Sequence, residues 1–445
     1  MSADSFTPTF IGQVELGQPL PTFDLTHPTA STPYPQANLL VRIHNQPLGL
    51  LTIASPTAQL TPAVYAQPLF AQFNNEINAH LTDDGLPPVT DLPHTGLAPL
   101  TPALPCRAED ARVLASNPPL VSVLIPTHER PWGLPPCLDA VLDQTYPHYE
   151  VIVVDNAPRS DATRDLIETQ YAGRVRYARE PRQGLSWARN CGAALAQGEI
   201  LVWVDDDVTV DRDWLFGLVR GFYATENVAC VNGLVLPAEL ESQAQHWFEQ
   251  FGGFSKGFHR KIFDLDTHRP NRPLFPYAPG IVGTGASMAI RKTVYDTLGG
   301  ADVALGAGTS TGGGEDLDLY FYILKRGHRI VYEPSSIAFH YHRREYDKLK
   351  RQMYNYGVGF SAHLTRCFLR QPLSLIPFLL QVPYGLYLVL SPKSFHNAQK
   401  RADYPAELTQ LERQGMLAGP LLYLKSRREA RQRDRLAAQE ITHAG

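Results

Sequence analysis

The sequence predicts an α/β fold built on a mainly parallel sheet. From residue 120 onward, apolar runs such as LVSVLIPT, EVIVVDN and EILVWVDDD are typical of buried strands. Helical segments of roughly 10–15 residues separate these runs, which is the pattern of βαβ units and of a parallel sheet with flanking helices.

The chain of 445 residues divides into four expected regions. Residues 1–81 are expected to form a small β-rich module, because NLLVRIHNQPLGLLTIAS alternates like a β-hairpin. Residues 82–119 contain eight prolines and are expected to be an extended linker. Residues 120–345 carry the alternating strands and helices, and residues 346–445 are expected to be a helical region.

Composition excludes several classes of protein. A net charge of −4 does not favour nucleic-acid binding, so no nucleic-acid partner is expected. The five cysteines lack the spacing of a disulfide framework or of a zinc site, which predicts reduced thiols in a cytoplasmic protein. The first residues, MSADSFTPTFIGQ, lack the basic start and apolar run of a signal peptide.

Polar residues follow three of the predicted strands. The first, second and fourth strands run into PTHER, VDN and VDDD. Ligands of parallel α/β sheets bind at the carboxyl ends of the strands, so this edge is the expected site.

Asp205, Asp206 and Asp207 give the strongest indication of chemistry at that edge. Oxygen ligands suit Mg²⁺ or Mn²⁺, and such an ion can hold a diphosphate. The alternative is a solvated acidic turn that caps the next helix, a role for which Asp211 and Asp213 also qualify.

Two further segments favour nucleotide binding. Asp155 closes the second strand and can accept hydrogen bonds from a base or ribose, although a turn or helix-capping role is equally open. Arg182, Arg189 and Asn190 lie around the predicted start of a helix, where phosphate binds well. An exposed basic helix face is the alternative for this segment.

The stretch GAGTSTGGGEDLDLYFYILKRGH is rich in glycine and predicts a mobile lid before a helix. Asp316 at the helix start is a possible general base beneath that lid, whereas capping of the helix is the alternative. His340 and His342 follow a strand, and one of them could be a metal ligand or both could be structural. GIVGTGASMAI lacks the third glycine of a dinucleotide fingerprint, so that cofactor is excluded.

Taken in order, five blocks resemble family 2 glycosyltransferases of the GT-A fold, which has a Rossmann-like sheet. The blocks are VSVLIPTHERP, EVIVVDN, GLSWARNCGAALAQGEILVWVDDDV, GTGASMAIRK and GGGEDLDLYFYILKRGHRIVYEP. The resemblance covers about residues 120–345. It implies an inverting enzyme, dependent on Mn²⁺ or Mg²⁺, that transfers sugar from a nucleotide-sugar donor, commonly a UDP-sugar, to an acceptor hydroxyl.

The same resemblance implies roles for individual residues. Asp316 would be the catalytic base. Asp207 would be the more direct metal ligand, with Asp205 nearer the ribose and His340 a further metal or diphosphate contact. The other implied donor-binding residues are Pro126, Thr127, Glu129, Arg130, Asp155, Arg189, Asp206 and Glu315.

Two departures from the family pattern qualify that inference. His128 replaces the usual aromatic residue of the first block, so stacking on the base is expected to differ. No Q-x-x-R-W motif follows Asp316, which argues against a processive synthase. The rival functions are a nucleotide-sugar-binding scaffold without transfer and a nucleotidyltransferase.

The C-terminal region contains a basic stretch, 341–370, followed by the uncharged stretch 371–392. This pattern fits a segment lying at a membrane surface, a buried core or dimer helix, or a membrane span. The first alternative would place the protein peripherally at the cytoplasmic face of a membrane, with contact through 341–392. It would also favour a lipid-linked or surface glycan acceptor.

Overall fold

A computed structural model describes residues 6–444, apart from residues 56, 102, 103, 116, 395 and 399. Residues 1–5 of the expected N-terminal module therefore lie outside the described residues. The same holds for residues 102, 103 and 116 of the expected linker.

The N-terminal part is a small sheet covered by one long helix. The sheet has the order β1-β3-β4, in which β3 and β4 form the expected hairpin. Leu69, Phe73 and Ile77 of the helix α1 pack onto its apolar face. The elements are β1 (Thr9–Glu15), β2 (Phe23–Asp24), β3 (Gln36–Ile43), β4 (Gln46–Ala54), β5 (Gln59–Leu60) and α1 (Pro62–Asp83).

A second, larger sheet forms the centre of the molecule. Its path is β10-β14-β11-β13-β9-β6-β7-β8, and β12 pairs with β14. The strands are β6 (Val121–Thr127), β7 (Tyr149–Asn156), β8 (Arg176–Glu180), β9 (Ile200–Val204), β10 (Val208–Val210), β11 (Val228–Pro237), β12 (Lys261–Phe263), β13 (Ser287–Arg291) and β14 (Arg329–His340).

The predicted α/β class is confirmed, but the sheet is mixed and not mainly parallel. The neighbours β9, β6, β7 and β8 are parallel, as are β11 and β14. The strand β13 runs antiparallel between β9 and β11, and β10 and β12 run antiparallel to β14. The alternation read from the sequence ends at β11. Beyond it the chain passes through α7 and β12 before β13 enters the sheet antiparallel between β9 and β11, and no βαβ pattern predicts that return.

Helices cover both faces of this sheet. On one face α5, α8 and α9 pack over Leu124, Val154 and Trp203. On the other face α3, α4 and α6 pack over Val123 and Val153. The helices of this part are α3 (Leu134–Leu142), α4 (Ala162–Gln170), α5 (Leu185–Leu195), α6 (Trp214–Gly221), α7 (Gln243–Phe251), α8 (Lys292–Leu298) and α9 (Glu315–Lys325), with a 3-10 turn at Pro279–Ile281.

Part of the expected extended linker is helical. A 3-10 turn (Pro105–Arg107) leads into α2 (Ala108–Ala115). Asp110 of α2 is buried and accepts hydrogen bonds from Arg220 of α6, at 2.8 Å from Nε and 2.7 Å from Nη2. This buried ion pair attaches residues 105–115 to the central domain.

The C-terminal region is helical. It contains α10 (Tyr346–Arg370), a 3-10 turn (Pro372–Ser374), α11 (Leu375–Leu379), α12 (Val382–Leu390) and α13 (Ala406–Ala444). The long helices α10 and α13 meet closely, because a Cβ added to Gly415 would lie 2.9 Å from the backbone nitrogen of Val358. Among the described residues no single helix has the length and apolarity of a membrane span; Pro372–Leu379 and Val382–Leu390, bent by 64°, pass that test as a pair.

Candidate active site

Three neighbouring strands bring the expected residues to one edge of the sheet. β9, β6 and β7 lie side by side, and Thr127 is in register with Asp155. The run Asp205–Asp207 follows β9 directly. The polar strand ends therefore converge as the sequence predicts for parallel neighbours.

Asp207 is the most heavily contacted of the three acids. Its Oδ1 lies 3.3 Å from Nε2 of His340, because β10 and β14 pair beside it. Its Oδ2 lies 3.3 Å from Arg130 and 3.2 Å from Arg343. Burial alone would raise the pKa of Asp207, but His340 and the two guanidinium groups outweigh it and hold that pKa well below its usual range. Asp207 is thus an anion held between two guanidinium groups and an imidazole.

Asp205 and Asp206 share this crowded environment. Thr127 donates a hydrogen bond of 2.6 Å to Oδ2 of Asp206, and Arg130 donates one of 3.1 Å to Oδ1. Burial raises the pKa of Asp205 to about 6; Asp207 adds to the effect and Arg189 opposes it. Burial also raises the pKa of Asp206, with Asp207 as the next cause.

The alternative of a solvated turn that caps the next helix does not describe Asp205–Asp207. Asp207 is only 7% exposed, and α6 begins at Trp214, well beyond it. Asp211 accepts a hydrogen bond from the backbone nitrogen of Asp213, which is the position preceding α6. Asp205–Asp207 are therefore separate from the helix start.

The predicted metal ligands are only partly assembled. His340 touches Asp207, but the ligand atoms of Asp205, Asp207 and His340 are not among the described groups that converge within 4.8 Å. Two carboxylates and an imidazole are nonetheless a donor set that Mn²⁺ or Mg²⁺ accepts. The crowding of negative charge that perturbs Asp205 is what a divalent cation would relieve, so these residues fit such an ion.

His342 lies behind His340 and away from Asp207. The Nδ1 atoms of the two rings are 2.9 Å apart, and Nε2 of His342 is 2.8 Å from Oε1 of Glu249 on α7. Burial lowers the pKa of His342, against the attraction of Glu249. His342 and Glu249 thus orient the ring of His340, which is the usual arrangement behind a ligand imidazole.

Asp155 presents an acceptor with no partner. The side chain is 1% exposed, Tyr177 donates a hydrogen bond of 3.1 Å to Oδ2, and Oδ1 has none. Burial raises the pKa of this carboxyl. The helix-capping alternative fails, because α4 begins at Ala162 and Asp161 precedes it. Oδ1 is available for a ligand N–H or O–H.

The residues at the end of β6 and just after it contact different parts of the site. Pro126 is buried in β6, and Arg130 contacts Asp206 and Asp207. Glu129 turns the other way and accepts a hydrogen bond of 2.7 Å from the backbone nitrogen of Arg159. His128 lies 2.6 Å from the carbonyl oxygen of Asn156, so it connects the ends of β6 and β7.

Arg189 is buried inside the protein and does not form an exposed basic face. It is 2% exposed and lies in the second turn of α5, where Nη1 is 3.3 Å from Oε1 of Glu315 and Nη2 donates to the carbonyl of Gly285 at 3.3 Å. Its Nε and Nη1 have no hydrogen-bond partner. Burial opposes the charge, but Glu315 and Asp205 outweigh it and raise the pKa of Arg189.

Arg182 and Asn190 do not join the expected phosphate group. Nε and Nη2 of Arg182 donate hydrogen bonds to the carboxylate of Glu180, at 2.7 and 2.8 Å. The guanidinium group of Arg182 also stacks over the ring of Trp187, 3.8 Å from its centre. Asn190 accepts a hydrogen bond from Tyr295 and so holds α8. The sequence could not separate these residues from Arg189, since all three lie within nine positions.

Asp316 and Glu315 begin α9 and face different partners. Asp316 accepts hydrogen bonds from the backbone nitrogens of Gly285, at 3.1 Å, and Leu317, at 2.8 Å. Glu315 faces Arg189, and burial raises the pKa of its carboxyl to about 7. Gly285 thereby links Asp316 to Arg189, and both to the same edge of the sheet.

Lys256 is a residue that the sequence reasoning missed. Burial lowers its pKa to about 8, while Asp316 and Glu249 favour its charge. It lies in the loop between α7 and β12, which carries no recognisable motif. Only the folding of that loop brings an amine near Asp316.

The glycine-rich loop is packed against α5, α10 and α13, which does not favour the expected mobile lid. The carbonyl of Ala307 accepts a hydrogen bond from Leu185 at 2.9 Å, and Ser310 donates one of 2.8 Å to Glu429 of α13. A Cβ on Gly312 would lie 2.6 Å from Asn355 of α10. The glycines here permit close packing and positive φ angles.

Part of the chain is similar to known proteins. Residues 122–297 match the family described as Glycosyl transferase family 2. Polypeptide N-acetylgalactosaminyltransferase 5 of Caenorhabditis elegans is 30% identical over 256 residues, which are 55% of this chain and 39% of that protein. Glucosyl-dolichyl phosphate glucuronosyltransferase of Haloferax volcanii is 24% identical over 196 residues, which are 42% of this chain and 57% of that protein.

Among solved structures, mannosyltransferase PcManGT from Pyrobaculum calidifontis in complex with GDP-Man and Mn²⁺ aligns with a TM-score of 0.42 at 20% identity. The alignment covers 73% of this chain and 86% of that chain. The chain spans less than two thirds of the length of either curated relative above. The family match includes β6 to β9 and Asp205–Asp207, and the mixed sheet with flanking helices agrees with the expected GT-A fold. Residues 122–297 therefore match glycosyl transferase family 2, in agreement with the resemblance that the sequence blocks predict.

Proposed function

We propose that the chain is a metal-dependent glycosyltransferase that moves a sugar from a nucleotide-sugar donor, most simply a UDP-sugar, to an acceptor hydroxyl with inversion. The observation that carries the proposal is the buried guanidinium of Arg189, whose Nε and Nη1 lack hydrogen-bond partners beside Asp205 and Asp316. A buried cation with free donors suits a phosphate oxygen. The names of the curated relatives, all transferases of sugars, support the same reaction class.

The donor would bind along the edge formed by β7, β6 and β9. Asp155 would accept a hydrogen bond from the base or ribose at its free Oδ1. Arg189 would donate to the diphosphate. Asp205, Asp207 and His340 would hold a divalent cation, which when bound offsets the negative charge of the departing nucleoside diphosphate.

The reaction needs a base that deprotonates the acceptor hydroxyl and a single displacement of the nucleoside diphosphate at the anomeric carbon. The acceptor O–H would lose its proton to the carboxylate of Asp316 while its oxygen forms a bond to the anomeric carbon. The bond from that carbon to the diphosphate oxygen breaks, and the nucleoside diphosphate leaves with the electron pair. Attack from the face opposite the diphosphate inverts the anomeric centre. Arg189 would stabilise the charge that develops on the leaving group.

The first test separates binding from transfer. We expect UDP, GDP or dTDP to raise the Tm of the purified chain only with Mn²⁺ or Mg²⁺. Asp316→Asn should keep that shift but lose roughly 10²–10⁴-fold in transfer, the usual contribution of a general base. Asp296→Asn, an exposed carboxylate on α8 paired with Lys292, is the matched control and should leave both unchanged.

Three results would contradict the proposal. Full transfer by Asp316→Asn would remove the base assignment. A wild-type Tm shift without any release of nucleoside diphosphate from donor and acceptor panels would favour the scaffold. Release of pyrophosphate from a nucleoside triphosphate with a sugar phosphate would favour a nucleotidyltransferase.

We also infer that the face formed by α11 and α12 contacts a membrane surface, which would favour a lipid-linked acceptor at the cytoplasmic face. None of the residues of α11 or α12, all of which the structure describes, is buried. This speaks against the core-helix alternative. The exposed apolar side chains are Leu373, Leu375, Ile376, Leu379, Leu380, Leu386, Tyr387 and Leu390.

The start of α13 extends this apolar face. Arg413 of α13 donates a hydrogen bond of 2.6 Å to the carbonyl of Val389 in α12. Leu417 and Leu421 follow Arg413 at intervals of four residues, so they lie on the same side of α13, and both are exposed. An apolar area made by three helices suits insertion into the interfacial region of a bilayer.

Charge attraction should contribute less than the basic stretch suggested. Arg343, Arg344 and Arg366 form ion pairs with carboxylates of the chain itself. We therefore expect the chain to float with liposomes with little dependence on anionic lipid. Leu373→Gln with Leu380→Gln, at two positions that are each 81% exposed, should abolish flotation. Leu114→Gln with Leu195→Gln is the matched control; equal flotation of both double variants would overturn the inference.

A further inference from the structure

Four potential metal ligands meet outside the candidate active site, in the N-terminal part of the chain. His44 lies in the turn between β3 and β4, and His80 and Asp84 lie at the end of α1. Cys106 lies in the 3-10 turn before α2. One ligand atom from each residue lies within 4.8 Å of all the others.

The separations of these atoms match the edges of a small tetrahedron. Nδ1 of His44 is 3.0 Å from Nε2 of His80 and 2.8 Å from Oδ2 of Asp84, and the latter two atoms are 3.1 Å apart. Sγ of Cys106 is 3.8 Å from Nδ1 of His44. Two nitrogen ligands at about 2.0–2.1 Å from a tetrahedral zinc ion lie about 3.3 Å apart, and a nitrogen and a sulfur ligand about 3.6 Å.

Neighbouring hydrogen bonds direct the free electron pairs into the cluster. Nε2 of His44 faces the carbonyl of Ala98 at 2.9 Å, so the ring proton belongs there and Nδ1 is left with a lone pair. Oδ1 of Asp84 accepts the backbone N–H of Cys106 at 2.8 Å, which leaves Oδ2 for the cluster. Such outer contacts are what orient the ligands of a metal site.

The backbone at His44 sets the direction of its side chain. His44 and the next residue, Asn45, both have positive φ angles, 51° and 63°. Turns of this type favour asparagine and glycine, and histidine is among the other residues that adopt a positive φ more often than most. The turn aims a fully buried imidazole at Asp84.

We propose that His44, His80, Asp84 and Cys106 bind one zinc ion in a closed structural site. Two imidazoles, a thiolate and a carboxylate are the mixture of nitrogen, sulfur and oxygen ligands that zinc accepts, whereas Mg²⁺ and Mn²⁺ prefer oxygen. A thiolate and a carboxylate also balance the two positive charges of the ion, so the buried complex is neutral.

The position of the site suggests what the ion does. It would join the β3–β4 hairpin, the end of α1 and the segment that enters α2. Asn45 and Arg107, each adjacent to a ligand, donate hydrogen bonds to Asp213 at the start of α6. The ion would therefore fix the N-terminal part against the segment that follows Asp205–Asp207.

A second cluster among the described residues does not qualify. Asp318, His363 and Cys367 also lie within reach of one another. Arg366 also forms a hydrogen-bonded ion pair with Asp318. Three ligands do not complete the set of four that a structural zinc ion takes.

Metal analysis of the full chain tests the proposal. After dialysis against buffer containing Mg²⁺, the wild type should retain about one zinc ion per chain. His80→Ala and Cys106→Ser should lose it, whereas the matched variants His94→Ala, an exposed histidine, and Cys191→Ser, a half-buried cysteine, should keep it. Removal of zinc by a strong chelator should lower the Tm of the wild type.

A second measurement does not depend on the variants folding. Exchange of the wild-type metal for Co²⁺ should give the visible bands of a tetrahedral site and a near-ultraviolet thiolate-to-cobalt band. Zinc content equal in Cys106→Ser and Cys191→Ser would overturn the proposal. So would a wild type that keeps no zinc, or a cobalt form without the thiolate band.

Discussion

Replacing Gly314 by alanine tests whether the glycine-rich loop is packed or acts as a free lid. Gly314 immediately precedes α9 and has a φ of +92°, where an L-residue costs about 1–2 kcal/mol. An added Cβ would overlap the carbonyl oxygen of Gly359 in α10 and lie 2.9 Å from its carbonyl carbon. Such overpacking adds about 1–3 kcal/mol, so Gly314→Ala should lower the unfolding free energy by about 2–5 kcal/mol.

The neighbouring Gly313 supplies the control. Its added Cβ would have the backbone oxygen of Asn355 as its nearest contact, at 3.9 Å. Gly313→Ala should therefore change the unfolding free energy by less than about 0.5 kcal/mol, or raise it slightly. Urea denaturation of both variants measures the difference. Equal urea midpoints for Gly314→Ala and Gly313→Ala would refute close packing of the loop and favour a mobile lid. Because Asp316 lies two residues beyond Gly314, transfer should fall as well.

Two further predictions concern the candidate active site. Asp155→Ala should abolish most of the nucleotide-dependent rise in Tm, since Oδ1 of Asp155 is the free acceptor at the end of β7. The control variant Asp161→Ala should keep that rise. Equal shifts in the two variants would exclude Asp155 from the nucleotide site. Glu315 has a pKa of about 7 in the folded chain against 4.5 ordinarily, so its stabilising contribution is complete below pH 4.5 and is lost as the pH rises through 7. Relative to Glu315→Gln, the wild type should lose up to about 3 kcal/mol of unfolding free energy over that pH range. Urea denaturation of both proteins at several pH values, without nucleotide, measures this loss. If the unfolding free energies of the two proteins change in parallel with pH, Glu315 does not titrate in that range.

Local sequence patterns were sufficient to predict secondary structure and strand order where elements adjacent in sequence are also adjacent in the fold. The strands β6, β7, β8 and β9 were predicted with the helices between them, because each βαβ unit repeats a recognisable apolar period. The gathering of Thr127, Asp155 and Asp205–Asp207 followed from the rule that parallel strands present their carboxyl ends at one edge. The antiparallel β13 was missed because its segment was judged only by its glycines.

The sequence did not predict which polar side chains are buried or which groups they bond. Arg182 and Arg189 are seven residues apart on one segment. Arg182 bonds Glu180, whereas Arg189 is buried with two nitrogens that have no hydrogen-bond partner. The glycines near Gly314 were assigned to mobility, although they allow close contact with α10. In each case the deciding group comes from another element.

The sequence by itself determined the α/β class of the fold, the resemblance of residues 122–297 to glycosyl transferase family 2, and the edge of the sheet where the acids converge, because these depend on periodicity and on short ordered blocks. The tertiary structure alone decided that His44, His80, Asp84 and Cys106 meet. Their spacing of 36, 4 and 22 residues has no pattern of its own, since the chain between them folds into a helix and a long connection. Ligands brought together by distant elements can be seen only after the packing of those elements has fixed their distances.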